Sequence, residues 1–217
     1  MNIEQARFNM VEQQIRPWEV LDPDVLDLLF EVKRESFVPP EHRALAFADL
    51  EIPLGHGEAM MQPKVEARIL QELAIRPHET VYEVGTGSGY LTALLAHRAR
   101  HVTSAEIHAD LHARAAQGLK SAGIDNVTLL QGDSAAGPLA DSAFDVIVLT
   151  GSVPIVPQAF LDHLSAGGRF FAVVGDPPVM EALLVRQPER GAFQQVKLFE
   201  TMLKPLVNAP QPARFRF

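Results

Sequence analysis

The sequence predicts an α/β protein: one doubly wound, mainly parallel seven-stranded sheet with an N-terminal helical layer packed on it. Three observations carry this expectation. Short apolar runs rich in β-formers alternate with helix-patterned stretches along most of the chain. One run, Thr80-Val81-Tyr82-Glu83-Val84, passes straight into Gly85-Thr86-Gly87-Ser88-Gly89-Tyr90 and then the apolar stretch Leu91-Thr92-Ala93-Leu94-Leu95-Ala96. Strand, glycine turn and helix in that order make the ligand-binding corner of open α/β sheets. The last two strand patterns follow one another with no helix between them, which closes the sheet as an antiparallel pair.

In chain order, Ile3, Ala6, Met10, Val11 and Ile15 mark an amphipathic helix that Pro17 ends. Asp22-Pro23-Asp24 is a helix start, with a capping acid, proline at the first helical position and a second acid at the positive helix end. Val25, Leu28, Leu29 and Val32 supply its stripe, and Phe37-Val38-Pro39-Pro40 stops it. Residues 46–62 read as a mostly irregular loop, long enough before a ligand-binding fold to be functional. A helix from Pro63 carries Val65, Ile69, Leu70 and Leu73 to the first strand.

Beyond the glycine turn, His101 to Glu106 is a second strand and 108–122 a helix ended by Gly123. Asn126 to Gln131 is a third strand, closing in Gly132-Asp133, and Phe144 to Thr150 a fourth, almost continuously apolar as a strand covered on both faces should be. Residues 157–164 give a short helix, 169–174 a fifth strand, and 182–186 with 196–202 the final pair. The proline-rich tail after Pro205 is expected on the surface. Residues 1–62 are read as helices and a loop packed on a core formed by 63–217, in one structural unit.

Composition narrows the function. At 217 residues and 47% hydrophobic, the chain has material for one large core. A formal charge of −8 argues against a general nucleic-acid or anionic-membrane surface. With no cysteine, disulfides, thiolate nucleophiles and cysteine metal sites are excluded. No stretch has the pattern of a signal peptide or the length of a membrane span, so a cytoplasmic protein is expected.

The glycine spacing discriminates between cofactors. Dinucleotide sites use G-x-G-x-x-G, but here Gly85, Gly87 and Gly89 alternate and Tyr90 stands in the third glycine's place. Glu83, just upstream, would be poorly placed beside a pyrophosphate and suits a ligand carrying an ammonium group. About twenty residues on, Glu106 ends the second strand where an acid bonds ribose hydroxyls. Together these favour S-adenosyl-L-methionine over a nicotinamide dinucleotide.

The whole pattern resembles the protein-L-isoaspartate O-methyltransferase family, from about Met10 to about Leu206. The resemblance rests on Glu35-Ser36-Phe37-Val38-Pro39, Pro53-Leu54-Gly55-His56-Gly57, Gln62-Pro63, the turn from Glu83 to Tyr90, Gly132-Asp133 and Phe144-Asp145-Val146-Ile147. It implies a Rossmann-like methyltransferase fold, and carboxyl methylation of isoaspartyl residues in protein repair. It also implies that Gly85, Thr86, Gly87, Ser88, Gly89 and Tyr90 hold the methionine part of the cofactor, Glu106 the ribose, and Gly132 with Asp133 the adenine end. The family's loop reads G-x-G-Q-T-I-S-Q-P, with its serine beside the methyl donor. Here it reads Gly55-His56-Gly57-Glu58-Ala59-Met60-Met61-Gln62-Pro63, so Ala59 replaces the threonine and Met61 the serine. The acceptor loop thus comprises His56, Ala59, Met60, Met61 and Gln62, with no catalytic residue assigned. The acceptor is a protein, a peptide or a small molecule. A different acceptor, or a non-catalytic cofactor-binding partner protein, remains the alternative.

Two other patterns suggest chemistry that the sequence does not support. His108 and His112 have a zinc-compatible spacing on a predicted helix but no third ligand, and read as a solvated face, with no metal expected. Ser152 follows the fourth strand without a G-x-S-x-G elbow, which argues against a serine hydrolase.

Overall fold

The computed structural model describes residues 2–211. The N-terminal layer begins with α1 (Ile3–Met10), capped by the Asn2 carboxamide, and α2 (Pro23–Glu31), where the Asp22 carboxylate accepts the Asp24 N–H at 2.9 Å. A short hairpin of β1 (Ile52–Gly55) and β2 (Glu58–Met60) then leads into α3 (Pro63–Leu73). The sheet proper follows as β3 (Thr80–Val84), α4 (Tyr90–Arg98), β4 (His101–Glu106), α5 (Ala109–Ser121), β5 (Val127–Gln131), β6 (Phe144–Leu149), α6 (Gln158–Asp162), β7 (Leu164–Asp176), β8 (Val179–Glu189) and β9 (Ala192–Glu200).

Seven strands form one sheet in the order β5-β4-β3-β6-β7-β8-β9. The pairs from β5 across to β7 are parallel, and β8 runs antiparallel to both its neighbours. The chain leaves β3 for β4 and β5 on one side, then returns to β6 on the other. The crevice between the carboxyl ends of β3 and β6 is therefore the topological switch point, where open α/β sheets bind ligands.

Strand alternation divides the core. Val81, Val146 and Val148 join Leu28, Leu70, Leu94 and Leu119 on one face, while Tyr82, Val84, Ile147 and Leu149 join Phe160 and Phe170 on the other. Both faces are covered, which is why β6 reads as an unbroken apolar run. Met10, Val11, Ile15 and Val20 belong to the same cluster as the sheet's first face.

The structure corrects three expectations. The first helix does not run to Ile15; residues Val11–Ile15 form a π turn and Arg16–Trp18 a 3-10 turn. Pro17 offers no N–H, so regular α-helical pairing cannot continue through it. The 46–62 stretch contains the β1–β2 hairpin, with Ile52 opposite Met60 and Pro53 opposite Ala59. Its strands are too short to show an alternation clearly. The fifth strand is longer than read because Gly167-Gly168 is absorbed in β7 across a bulge, and the sixth extends to Val179–Glu189 as β8 pairs along it. The tail beyond Pro205 is largely exposed, as expected, with Val207, Asn208, Pro210 and Gln211 at the surface, but the segment 203–206 at its start is tied to the end of the sheet. Ser152 binds this segment through its backbone N–H to the Lys204 carbonyl (2.9 Å), its carbonyl from the Leu206 N–H (2.9 Å) and its hydroxyl to the Leu203 carbonyl (2.9 Å). The rest of the tail, 212–217, falls outside the described residues.

Candidate active site

Four strand ends build the site. Val84 ends β3 and Gly85 follows it, Glu106 ends β4, Gly132 and Asp133 follow β5, and Thr150 with Gly151 follows β6; all line one pocket. The opposite wall comes from Leu54, Gly57, Glu58, Ala59 and Met61, and the tail closes it with Leu203, Lys204, Leu206 and Val207.

The glycine turn is shaped to admit a ligand. Gly85, Gly87 and Gly89 have φ of +93°, +56° and +83°, a region that residues with a Cβ rarely enter. A Cβ on Gly85 would stand 2.3 Å from the Thr150 hydroxyl oxygen. That hydroxyl shares its one proton between the Val84 and Gly85 carbonyls, each at 2.8 Å, and so ties the turn to β6.

Glu106 is held in place by two backbone donors, the Gly87 N–H at 2.8 Å and the His108 N–H at 3.0 Å, one on each carboxylate oxygen. Each oxygen keeps lone-pair capacity for a further donor, as a ribose diol would supply. Asp133 accepts the Ala135 N–H at 2.9 Å and the Asn208 amide at 2.7 Å. A turn of alternating glycines, a pinned acid and a second acid farther along the same pocket fit an adenosyl cofactor.

Of the residues singled out in the sequence, the structure brings Gly85, Gly87, Glu106, Gly132, Asp133, Ala59 and Met61 to the pocket wall. It does not bring Glu83 there. Side chains alternate along β3, so Glu83 shares the Val81 face and points beneath α4. There it is fully buried, accepting from Thr92 at 2.5 Å and Ser104 at 2.6 Å, while its other oxygen has no hydrogen-bond partner among the described residues. Thr86 is likewise turned inward, onto Ser104 at 2.6 Å. Ser88 faces a neighbouring depression, and Gly89 caps α4. Tyr90 packs under the acceptor loop, its ring 4.9 Å from the Arg34 guanidinium. Glu83 thus belongs to a buried hydrogen-bonded network, Thr86–Ser104–Glu83–Thr92, behind the turn.

In the acceptor loop, Met60 is buried in the core and Gln62 caps α3, so neither lines the pocket. His56 sits at the hairpin tip with φ +54°, bonded to Asp110 at 2.8 Å and stacked on His108 at a centroid distance of 4.1 Å. His108 precedes α5 and lines the pocket, instead of sharing a helix face with His112. Reading the sequence missed Thr150, Lys204, Leu206 and Val207. Thr150 had no motif to mark it, and the prolines of the tail suggested exposure.

Burial pushes the Glu83 carboxyl up to about 7, against the hydrogen bonds from Ser104 and Thr92 that oppose the rise. A folded-state value above the unfolded one means that the native protein binds more protons between about pH 4.5 and 7. The associated stability is present below that window and is lost as pH rises through it. Glu83→Gln, which never charges, should therefore gain stability over wild type at pH 8 relative to pH 5, by up to about 3 kcal/mol. Urea unfolding of both proteins at the two pH values measures this. A gap that does not change with pH would mean that Glu83 stays ionised throughout.

The comparisons agree with this architecture. The sequence profile of the protein-L-isoaspartate(D-aspartate) O-methyltransferase family matches residues 5–211. The chain belongs to that family. A protein-L-isoaspartate O-methyltransferase from Koribacter versatilis is 38% identical over 203 residues, covering 93% of this chain and 90% of its own. One of the same name from Methanoculleus marisnigri is 36% identical over 202 residues, covering 93% and 91%. Among solved structures, a Plasmodium falciparum protein assigned to the same activity and bound to S-adenosyl-L-homocysteine superposes with a TM-score of 0.79. It is 19% identical and covers 92% of this chain and 97% of its own, so it supports the fold alone. As a member of the family the protein is a methyltransferase, and S-adenosylmethionine is its cofactor.

Proposed function

We propose that the protein methylates the free α-carboxylate of isoaspartyl residues in peptides and proteins, more slowly than a family member with the loop hydroxyls would. The observation that supports this most is a single pocket with the glycine turn and Glu106 on one wall and residues 57–61 on the other. S-adenosylmethionine supplies an electrophilic methyl group on a sulfonium, a good leaving group. The rest is positioning. An α-carboxyl group, with a pKa of about 3.3–3.7, is already ionised at neutral pH, so no general base is needed. Gly85 and Gly87 let backbone approach the cofactor, Glu106 accepts from its ribose, and Asp133 from its adenine amino group. Leu54, Met61, Leu203 and Leu206 make an apolar lining that excludes water around the reacting groups.

The loop limits the rate. Met61 is buried in the pocket wall and cannot donate a hydrogen bond to the acceptor. One lost hydrogen bond to a charged oxygen, roughly 1.5–3 kcal/mol, corresponds to a rate lower by roughly ten- to a hundredfold. The double change Ala59→Thr with Met61→Ser should restore that factor in kcat/KM on an isoaspartyl peptide, with thermal unfolding run alongside to register the smaller side chain. High wild-type turnover that does not respond to the change would show that hydroxyls are dispensable in this loop.

A second reading has its own support. The Met61 thioether narrows the acceptor side, which suits a smaller or more apolar acceptor than a peptide. Transfer of labelled methyl groups from S-adenosylmethionine to components of a cell extract would reveal such an acceptor. No transfer to anything, with the cofactor demonstrably bound, would favour a non-catalytic partner protein. The net charge of −8 supports a protein or peptide acceptor over nucleic acid. The lack of cysteine supports a reducing compartment, for which we infer the cytoplasm. Among the described residues no helix is long and apolar enough to cross a membrane.

A further inference from the structure

The acceptor side of the pocket has lost hydroxyls, but it carries a cation. Lys204 lines the pocket with Gly57, Glu58, Ala59 and Met61, and its ammonium lies 3.5 Å from where a Cβ on Gly57 would stand. It therefore reaches from the tail, across the pocket, to the hairpin that forms the acceptor wall. Its backbone is fixed, since Ser152 hydrogen-bonds the Leu203 and Lys204 carbonyls and the Leu206 N–H. Its head group is not fixed in the same way. It is ion-paired with Glu58, and the two side chains are 46% and 25% exposed, respectively. His108, the next polar group at this spot, comes no closer than 3.9 Å to the same Glu58 oxygen, and its Nε2 has no hydrogen-bond partner among the described residues.

A half-exposed lysine–carboxylate pair is weak, because solvent screens it and two long side chains must be held still. It exchanges readily for another carboxylate offered in a better place. The ammonium has three donors on a flexible stem, so it can bond an incoming oxygen without losing its charge.

We propose that Lys204 is the residue that orients the acceptor carboxylate, standing in for only part of the grip that the missing loop hydroxyls would give. Glu58 is its partner while no acceptor is bound. On acceptor binding the ammonium turns from Glu58 to one carboxylate oxygen and leaves the other free to react. Lys204 keeps all its protons and changes only its hydrogen-bond partner. The recognised chemistry is a free carboxylate. The inference rests on the isoaspartyl reading for the identity of the molecule that bears it.

The test uses an isoaspartyl peptide in two measurements: calorimetric binding to the protein saturated with S-adenosylhomocysteine, and methyl-ester formation in the presence of S-adenosylmethionine. Lys204→Met should weaken peptide binding and raise KM by about tenfold or more, the worth of one hydrogen bond to a charged group. Lys204→Arg should recover most of this, and Glu58→Gln, which removes the competing carboxylate, should lower KM below the wild-type value. Wild-type KM should also rise with salt while that of Lys204→Met stays flat, which a purely structural role for the lysine would not produce. Homocysteine-product binding by each variant reports that the fold is intact.

Turnover with the same KM and salt dependence in wild type and Lys204→Met would overturn the role of Lys204 and leave the isoaspartyl reading standing. Lysine-dependent peptide binding with no ester formed would do the reverse. No peptide binding by wild type, with the homocysteine product bound normally, would overturn both.

Discussion

Gly85→Ala is expected to weaken S-adenosylhomocysteine binding by roughly a hundredfold, the cost of a strained backbone position plus a displaced turn. Two independent causes act at this position. Its φ of +93° is one that alanine adopts only under strain, and the new methyl would lie 2.3 Å from the Thr150 hydroxyl oxygen. Thr150 cannot simply rotate away, because its hydroxyl is bonded to the Val84 and Gly85 carbonyls. If it stays, the turn must shift away from β6 and into the space of the ligand. The double variant Gly85→Ala with Thr150→Ala removes the collision but not the strain, and should regain part of the lost affinity. Calorimetric titration of both variants separates the two causes. Near-wild-type binding by the single variant would mean that the turn is more pliant than its hydrogen bonds imply.

The second large effect lies beneath the acceptor loop. Arg34, 1% exposed, pairs with the buried Glu66 and donates to the Met61 carbonyl at 2.7 Å and the Ala46 carbonyl at 3.0 Å. Burial pushes the Glu66 carboxyl up to about 7 even with Arg34 pulling it down. Arg34→Met would leave that acid without its partner and free the backbone of Met61. Breaking a buried pair from one side costs roughly 3–5 kcal/mol, or a Tm fall of roughly 6–20 °C for a chain of this size. Adding Glu66→Leu removes the stranded acid and should restore much of the stability, but not the anchor on Met61. The double variant should therefore melt near wild type while still binding the acceptor peptide poorly. Thermal unfolding and peptide titration of the three proteins decide it. A single variant as stable as wild type would show that the pair is not needed to hold this region.

How far the sequence reveals these features depends on how local each one is. The glycine turn and Glu106 were legible because strand, turn and helix are contiguous, and the strand pattern carries its own period. Glu83 was legible as a carboxylate beside the turn but not in its orientation. Its orientation depends on which face of β3 meets α4, and a strand buried on both faces gives no polar alternation to reveal that. Thr150 and Lys204 could not be read as partners of the turn and the hairpin. They lie 65 residues from Gly85 and 146 residues from Glu58, and only the sheet order and the Ser152 hydrogen bonds bring them there. The hairpin at 52–60 escaped notice because three or four residues per strand cannot establish a period, and three successive positive φ values at Gly55, His56 and Gly57 hide its turn behind an ordinary glycine-rich loop.

The most direct measurement is methyl-ester formation by the wild-type protein on an isoaspartyl peptide and on its normal aspartyl twin, with labelled S-adenosylmethionine as donor. A slow, base-labile incorporation into the isoaspartyl peptide, with none into the twin, is the result expected. Equal incorporation into both, or none into either by protein that binds the homocysteine product, would contradict the assignment of the isoaspartyl carboxylate as its acceptor.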